Sequence, residues 1–162
     1  MDRIWAPWRI DYIKGPKEEG CVFCNAAALG DDRAALILFR GRTGFVIMNK
    51  YPYNNGHLMV ASFRHLADFG ALTPDESLEA MRLLQECHRI MTEAFHPHGF
   101  NAGLNLGRCA GAGVEDHLHF HIVPRWNGDT NFMPVLGETR VISQHIEETY
   151  DELRPFFAGL SR

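Results

Sequence analysis

Apolar residues occur along this chain in short runs separated by turn-forming residues, a pattern typical of β-strands. The runs predict five strands, at residues 36–40, 44–48, 57–62, 100–106 and 118–123. Gly41-Arg42-Thr43 separates the first two runs and predicts a hairpin between them. The pattern therefore indicates a β-sheet that begins with a hairpin.

Residues 74–95 carry the signals of a long helix. Thr73 is a favourable N-cap, Pro74 suits the first helical position, and two acidic residues follow it. Apolar residues recur every three or four positions and predict a core-facing stripe of Leu78, Met81, Leu84, Cys87 and Met91. A closing helix is predicted at residues 143–157. Strands and helices together predict an α+β fold.

Length and composition favour one domain. The 162 residues, 46% of them hydrophobic and 22% charged, suit a single domain over residues 1–162 with an N-terminal arm and a C-terminal extension. A net charge of −4 gives no general reason to bind a nucleic acid polymer or an anionic membrane. Because the sequence lacks a long apolar stretch and a signal-peptide core, we expect a cytoplasmic protein in which Cys87 and Cys109 are free thiols.

Three histidines alternate with apolar residues in the segment His117-Leu118-His119-Phe120-His121-Ile122-Val123. An extended strand sends successive side chains to opposite faces, so we expect the three imidazoles on one face. Neighbours on that face lie about 7 Å apart, too far for all three to bind one ion without bending. The spacing does suit a groove lined with titratable groups, but it does not rank the three histidines.

A glycine-rich segment, residues 105–116, leads directly into the histidine strand. Its three glycines let backbone N–H groups approach an anion closely, which indicates a cradle for phosphate. A neutral imidazole beside it can attack the α-phosphorus of a phosphoanhydride, and a protonated neighbour can donate to the leaving group. The combination predicts phosphoryl or nucleotidyl transfer.

Cys21-Val22-Phe23-Cys24 has the two-residue spacing with which paired thiolates bind one metal ion. The pair supplies half of a zinc site, and His65 with one histidine of the triad could supply the other half. Two simpler interpretations stay open. The cysteines can be a buried pair without metal, and His65 can cap an element that begins near Leu66.

The histidine segment and the Pro124-Arg125-Trp126 that follows it resemble the histidine-triad motif of the HIT superfamily of nucleotide hydrolases and transferases. Other segments resemble the bacterial diadenosine-polyphosphate phosphorylase-like branch, namely Trp5–Arg9, Cys21–Cys24, Asn49–His57 and Arg125–Phe132. The resemblance covers nearly the whole chain. It implies the HIT fold, an antiparallel sheet of about five strands with flanking helices, in a protein that forms a homodimer or higher homo-oligomer.

The resemblance also implies roles for individual residues. His119 would be the nucleophile, His121 a phosphate-binding partner, and His57 a further active-site histidine that orients His119 or contacts phosphate. Asn49 would bind the ribose hydroxyls, although it can equally cap a turn. Asn105 matches a phosphate-side asparagine. A histidine that merely begins a strand is the simpler interpretation of His57.

This chain departs from the family just before the triad. Many relatives carry Gln and then Ser or Thr where it has Gly113 and Val114, so backbone N–H groups, above all that of Gly113, would hold the phosphate. Zinc-bearing relatives imply a closed, structural zinc site. The implied ligands are Cys21, Cys24, His65 and His117.

The leading functional hypothesis is an enzyme that cleaves diadenosine polyphosphates or related nucleotides through a nucleotidyl-histidine intermediate. Phosphate or water would be the second acceptor. A nucleotide-binding regulatory or scaffold protein with incidental turnover is the alternative. A third possibility is a metalloenzyme that uses the triad itself as a catalytic zinc cluster.

Overall fold

The computed structural model describes residues 19–129, 142 and 144–161. The Trp5–Arg9 segment of the predicted N-terminal arm lies outside these residues, as do residues 130–141 ahead of the closing helix. Within the described ranges, no helix is long and apolar enough to cross a membrane.

Five antiparallel strands form one open sheet in the order β1-β2-β3-β5-β4. The strands are β1 (Ile37–Arg40), β2 (Gly44–Met48), β3 (Leu58–Ser62), β4 (Gly99–Leu104) and β5 (His119–Arg125). β1 and β2 form the predicted hairpin, whose turn is held by the Glu79 carboxylate, an acceptor for the backbone N–H groups of residues 42–44. The predicted α+β class and antiparallel sheet are confirmed.

Three helices are present in the described part of the chain, α1 (Val22–Ala28), α2 (Pro74–Phe95) and α3 (Ile146–Phe157). α2 begins as predicted, with a capping box formed by Thr73 and Glu76. α3 begins at Ile146 rather than at residue 143, and the Tyr150 hydroxyl ties it to the sheet by donating to the Ile37 carbonyl over 3.0 Å. Nothing in the apolar pattern predicts α1, a helix of 7 residues.

The two faces of the sheet have different coverings. Alternate residues of β2 and β3 point to one face, where α2 and α3 complete the larger core cluster. The other residues of both strands pack with Phe23 of α1 in a smaller cluster. Met59 of β3 pairs with His121, and Ala61 pairs with His119. The histidines of β5 therefore lie on the face that carries α1.

Two apolar residues of α2 face solvent, contrary to the predicted stripe. Leu78 is 54% exposed and Met81 is 53% exposed. The buried apolar residues of the helix are Leu83, Leu84, Cys87, Ile90 and Met91. At about 100° per residue, Leu78 lies opposite the centre of that stripe. Glu76 and Ala80 take the positions in the first turns that face the sheet.

Candidate active site and metal centre

Two cysteines and two histidines from three segments meet beside the start of β5. Cys21 precedes α1 and Cys24 lies in its first turn, and their Sγ atoms are 3.2 and 3.6 Å from Nδ1 of His117. Nδ1 of His65 is 3.4 Å from the Cys24 sulfur and 3.3 Å from Nδ1 of His117. The four ligand atoms all lie within 4.8 Å of one another. The structure thus brings together the four residues that the resemblance implies for zinc.

The orientation of His117 leaves one ring nitrogen for a metal. Its Nε2–H donates to the Ser62 carbonyl over 2.9 Å, so the lone pair of the neutral ring is on Nδ1. Burial lowers the pKa of His117, which favours the neutral ring that metal binding requires. Burial and the neighbouring Cys21 thiol raise the pKa of Cys24, because two adjacent thiolates would repel each other. A cation between the two sulfur atoms would offset this repulsion. Two thiols and two imidazoles form a donor set typical of tetrahedral zinc.

His65 reaches this cluster from the loop between β3 and α2. Arg64 anchors the loop through a bidentate ion pair with Glu76, at 2.6 and 2.9 Å, and also donates to the Ala71 carbonyl. That pair holds the pKa of Glu76 at about 2. His65 does not cap an element near Leu66, because the next element is a 3₁₀ turn at Phe69–Ala71 that is capped by Asp68. The cysteines are half-buried rather than a fully buried pair.

His119 is 6% exposed, and one hydrogen bond determines which of its ring nitrogens carries the proton. Nδ1–H donates to the backbone carbonyl of His117 over 2.7 Å, which leaves the lone pair on Nε2. The rings of Phe23 and His121 pack against the imidazole, with centroids 4.7 and 4.8 Å away. Burial lowers the pKa of His119, so the neutral ring offers Nε2 as a nucleophile near pH 7.

A chain of hydrogen bonds fixes the ring of His121. The backbone N–H of Tyr53 donates to Nδ1 of His57 over 3.0 Å, so His57 carries its proton on Nε2. That Nε2–H faces Nδ1 of His121 at 2.9 Å and donates to it. Neutral His121 consequently carries its own proton on Nε2. Burial and the charge on His119 lower the pKa of His121 to about 4. The structure thus places the fully buried His57 against His121.

Asn49 lies next to this chain, at the end of β2. Its Oδ1 accepts the backbone N–H of Tyr51 over 2.9 Å, and its Nδ2 is 3.3 Å from Nδ1 of His57. Both ends of the amide therefore have partners within the loop that carries His57. These contacts match the turn-capping interpretation, and the ribose-binding role stays a prediction.

The glycine-rich segment forms a surface loop ahead of the triad. Gly107 (φ +78°) and Gly111 (φ +90°) take backbone conformations that favour glycine, on either side of a 3₁₀ turn at Arg108–Ala110. Asn105 is half-buried and its amide donates to the Gly111 carbonyl over 3.4 Å, whereas Gly113 is exposed. The phosphate-binding roles of Asn105 and Gly113 stay predictions.

Two aromatic residues that the sequence reasoning missed touch the histidines. Phe23 packs on both His117 and His119, and Tyr53 stacks on His57 and His121 with centroids 4.5 and 5.7 Å away. Each had a signal in the sequence. Phe23 stands between Cys21 and Cys24, and Tyr53 precedes His57 by four residues in a loop.

Comparison with known proteins agrees with this geometry. Residues 33–128 match the family model described as HIT domain. The chain is 38% identical over 158 residues to a Mycobacterium tuberculosis protein named AP-4-A phosphorylase, an alignment that covers 92% of this chain and 80% of that protein.

Solved structures show the same fold. A Zn-bound histidine triad family protein from Mycobacterium smegmatis superposes with a TM-score of 0.68 at 27% identity, covering 86% of this chain and 94% of that one. Plasmodium falciparum diadenosine triphosphate hydrolase, in complex with Cyclomarin A, superposes with a TM-score of 0.62 at 22% identity, covering 79% and 76%. The family predicted from the sequence is confirmed, and the chain belongs to the HIT family.

Proposed function

We propose that the protein cleaves diadenosine polyphosphates or related nucleotides through a nucleotide covalently bound to His119. The observation that carries the proposal is the buried hydrogen bond from His119 to the His117 carbonyl, because it leaves a neutral Nε2 ready to attack phosphorus. The 38% identity to a protein named AP-4-A phosphorylase supports the substrate class and an enzymatic role.

In the proposed reaction the Nε2 lone pair of His119 attacks the α-phosphorus. The bond from phosphorus to the bridging oxygen breaks, and its electron pair leaves with the polyphosphate. The Nε2–H of neutral His121, held in place by the hydrogen bond from His57 to its Nδ1, donates to the bridging oxygen and stabilises the negative charge that develops there. Phosphate or water then attacks the phosphorus, and the phosphorus–nitrogen bond breaks to restore His119.

We further propose that Cys21, Cys24, His65 and His117 hold a structural zinc ion. Their donor chemistry and the Nδ1 lone pair of His117 support this assignment, as does the similarity to a Zn-bound relative. Four protein ligands close the coordination sphere, so the ion would cross-link three chain segments and leave no position for substrate. Since the cluster recruits one histidine of the triad, the other two remain for nucleotide chemistry.

Phosphate recognition is assigned to the glycine-rich loop, with Asn105 and the backbone N–H of Gly113 as donors. The exposure of Gly113 and the position of the loop immediately before the triad support this role. Asn49 is the proposed ribose contact. On binding the sugar, its amide would exchange a loop hydrogen bond for one with a ribose hydroxyl.

Product analysis tests the proposed activity and the scaffold alternative together. The purified protein is incubated with diadenosine tetraphosphate, with and without inorganic phosphate, and the adenosine nucleotides are separated. ADP with phosphate identifies a phosphorylase, and AMP without it identifies a hydrolase. The activity should disappear in His119→Ala and persist in His145→Ala, a control at an exposed histidine just before α3. Tight nucleotide binding without turnover by the wild type would instead favour the scaffold hypothesis.

We also propose that two copies associate through the outer side of α2 and the free edge of β4. Leu78 and Met81 expose apolar surface there, and the His88 and Phe100 rings, 4.6 Å apart, join α2 to β4. Among the described strands, β4 pairs with β5 alone. Sedimentation should show that Met81→Glu dissociates the dimer, whereas Leu29→Glu, at an equally exposed leucine elsewhere, leaves it intact. Dimeric Met81→Glu would exclude this surface.

A reducing compartment such as the cytoplasm is the proposed location. All four cysteines are free thiols, and two of them are the proposed zinc ligands. Oxidation of Cys21 and Cys24 would remove half of the cluster.

A further inference from the structure

One buried ring touches both the metal cluster and the proposed nucleophile. Phe23 lies between Cys21 and Cys24 in the chain and is only 2% exposed. Its centroid is 5.1 Å from that of the ligand His117 and 4.7 Å from that of His119, with tilts of 47° and 38°. A change in the position of this ring therefore changes the packing of both imidazoles.

The position of Phe23 depends on the first turn of α1. A helix of 7 residues is too short to be stable by itself. Its N-cap, Cys21, makes no side-chain capping bond, whereas the C-terminal end is held by Arg40, which donates to the Ala27 carbonyl over 2.8 Å. A metal ion that joins Cys21 and Cys24 to the two histidines would fix the other end and, with it, the Phe23 ring.

The His119 ring needs such a constraint. Its Nδ1–H donates to a single acceptor, the His117 carbonyl, and a ring held at one atom can still tilt about that bond. Phe23 packs against the imidazole, as does the ring of His121. Both the acceptor carbonyl and the Phe23 ring belong to the metal-binding segments. Errors of about 1 Å in the position of a reacting group can slow a reaction about a hundredfold.

We propose that Phe23 is a positioning residue that transmits metal binding at the Cys21–Cys24–His65–His117 cluster to the ring orientation of His119. The inference rests on the proposed function for its consequence in catalysis, since it makes the metal ion a determinant of transfer rate as well as of stability. By thermodynamic linkage, if metal binding alters the orientation of the His119 ring, a substitution that weakens this coupling must also change the metal affinity of the cluster.

Phe23→Leu tests the link, because leucine keeps the site apolar but removes the flat ring. Phe45→Leu is the matched control. Phe45 is fully buried in the same apolar core cluster as Phe23. Its ring packs against that of Phe63, with centroids 5.2 Å apart, rather than against a histidine. Three quantities are measured for each protein: the side-chain NMR signals of His119 with and without zinc, zinc affinity by competition with a chelator, and the rate of covalent labelling by nucleotide.

We expect zinc removal to shift the His119 signals of the wild type and to slow labelling about tenfold, with nucleotide affinity unchanged. Phe23→Leu should resemble the zinc-free wild type, bind zinc several-fold more weakly and lose little further rate when zinc is removed. Phe45→Leu should lose stability but keep wild-type signals and zinc response. His119 signals in Phe23→Leu that respond to zinc as in the wild type would overturn the proposal. A wild type that never becomes labelled would refute the proposed function instead, and the NMR comparison would still decide the coupling.

Discussion

His117 and His119 are two residues apart, and each donates one ring N–H to a backbone carbonyl, but they use opposite nitrogens. His117 donates Nε2–H to Ser62 and leaves Nδ1 facing the two cysteines and His65. His119 donates Nδ1–H to His117 and leaves Nε2 available for phosphorus. Burial lowers the pKa of both rings, so charge does not distinguish them. The position of one carbonyl acceptor therefore distinguishes the proposed metal ligand from the proposed nucleophile.

The largest effect in this comparison is expected when the imidazole of His119, the proposed nucleophile, is removed. His119→Ala should lower the rate of covalent nucleotidyl transfer by at least about a thousandfold, because it removes the lone pair that is assigned to the attack on phosphorus. Nucleotide affinity should remain, since the glycine-rich loop that is proposed to bind phosphate is untouched. Incubation with radiolabelled nucleotide followed by denaturation measures the covalent product. Label attached to the variant at the wild-type rate would show that another residue is the nucleophile.

The other half of the comparison is tested at the metal cluster. Zinc should copurify at about one equivalent per chain, and Cys21→Ser should lower its content and reduce the Tm by about 10 °C, as expected for the loss of about 3 kcal/mol in a domain of this size. Cys109→Ser is the matched control, because this thiol is exposed and outside the cluster. Elemental analysis and thermal unfolding provide the measurements. A metal-free wild type that is fully folded and active would refute the zinc proposal.

Much of this architecture was predictable because local rules agree with the tertiary structure. The Gly44–Met48 strand and the Pro74–Phe95 helix have the predicted bounds, since turn residues and a capping box mark their ends. The grouping of two cysteines with two histidines was also predictable, because the two-residue spacing of the cysteines suits a shared ion and the family resemblance implies His65 and His117.

The remaining features depend on contacts between distant residues. α1 is too short for an apolar period to reveal it, and Leu78 satisfies a helical spacing while facing away from the sheet. The choice of ring nitrogen at each histidine depends on where the Ser62 carbonyl and the Tyr53 N–H lie after folding. No spacing rule contains that information, so the strand pattern alone could not rank the three histidines.

A smaller effect is expected from the hydrogen bond that orients the ring of His121. His57→Leu removes the donor to Nδ1 of His121 and should lower kcat about a hundredfold with little change in KM, because His121 loses its fixed proton position. His57→Gln retains an N–H donor in this part of the side chain and should recover part of the rate. Equal losses in both variants would indicate that His57 acts by packing or contacts phosphate directly.

The smallest expected effect is on the pH dependence of stability. His121 has a pKa of about 4 in the folded protein, whereas a histidine of the unfolded chain titrates near 6.5. The unfolded state therefore binds the proton first as the pH falls, and stability is lost from about pH 6.5 down to about pH 4, with no effect above that range. Between pH 7 and pH 5 this single group should lower the free energy of unfolding by about 2 kcal/mol. His117 and His119 act in the same direction, so denaturant unfolding of His121→Gln at both pH values should lack only the His121 contribution. An identical pH-dependent loss in the variant and the wild type would mean that folding does not lower the pKa of His121.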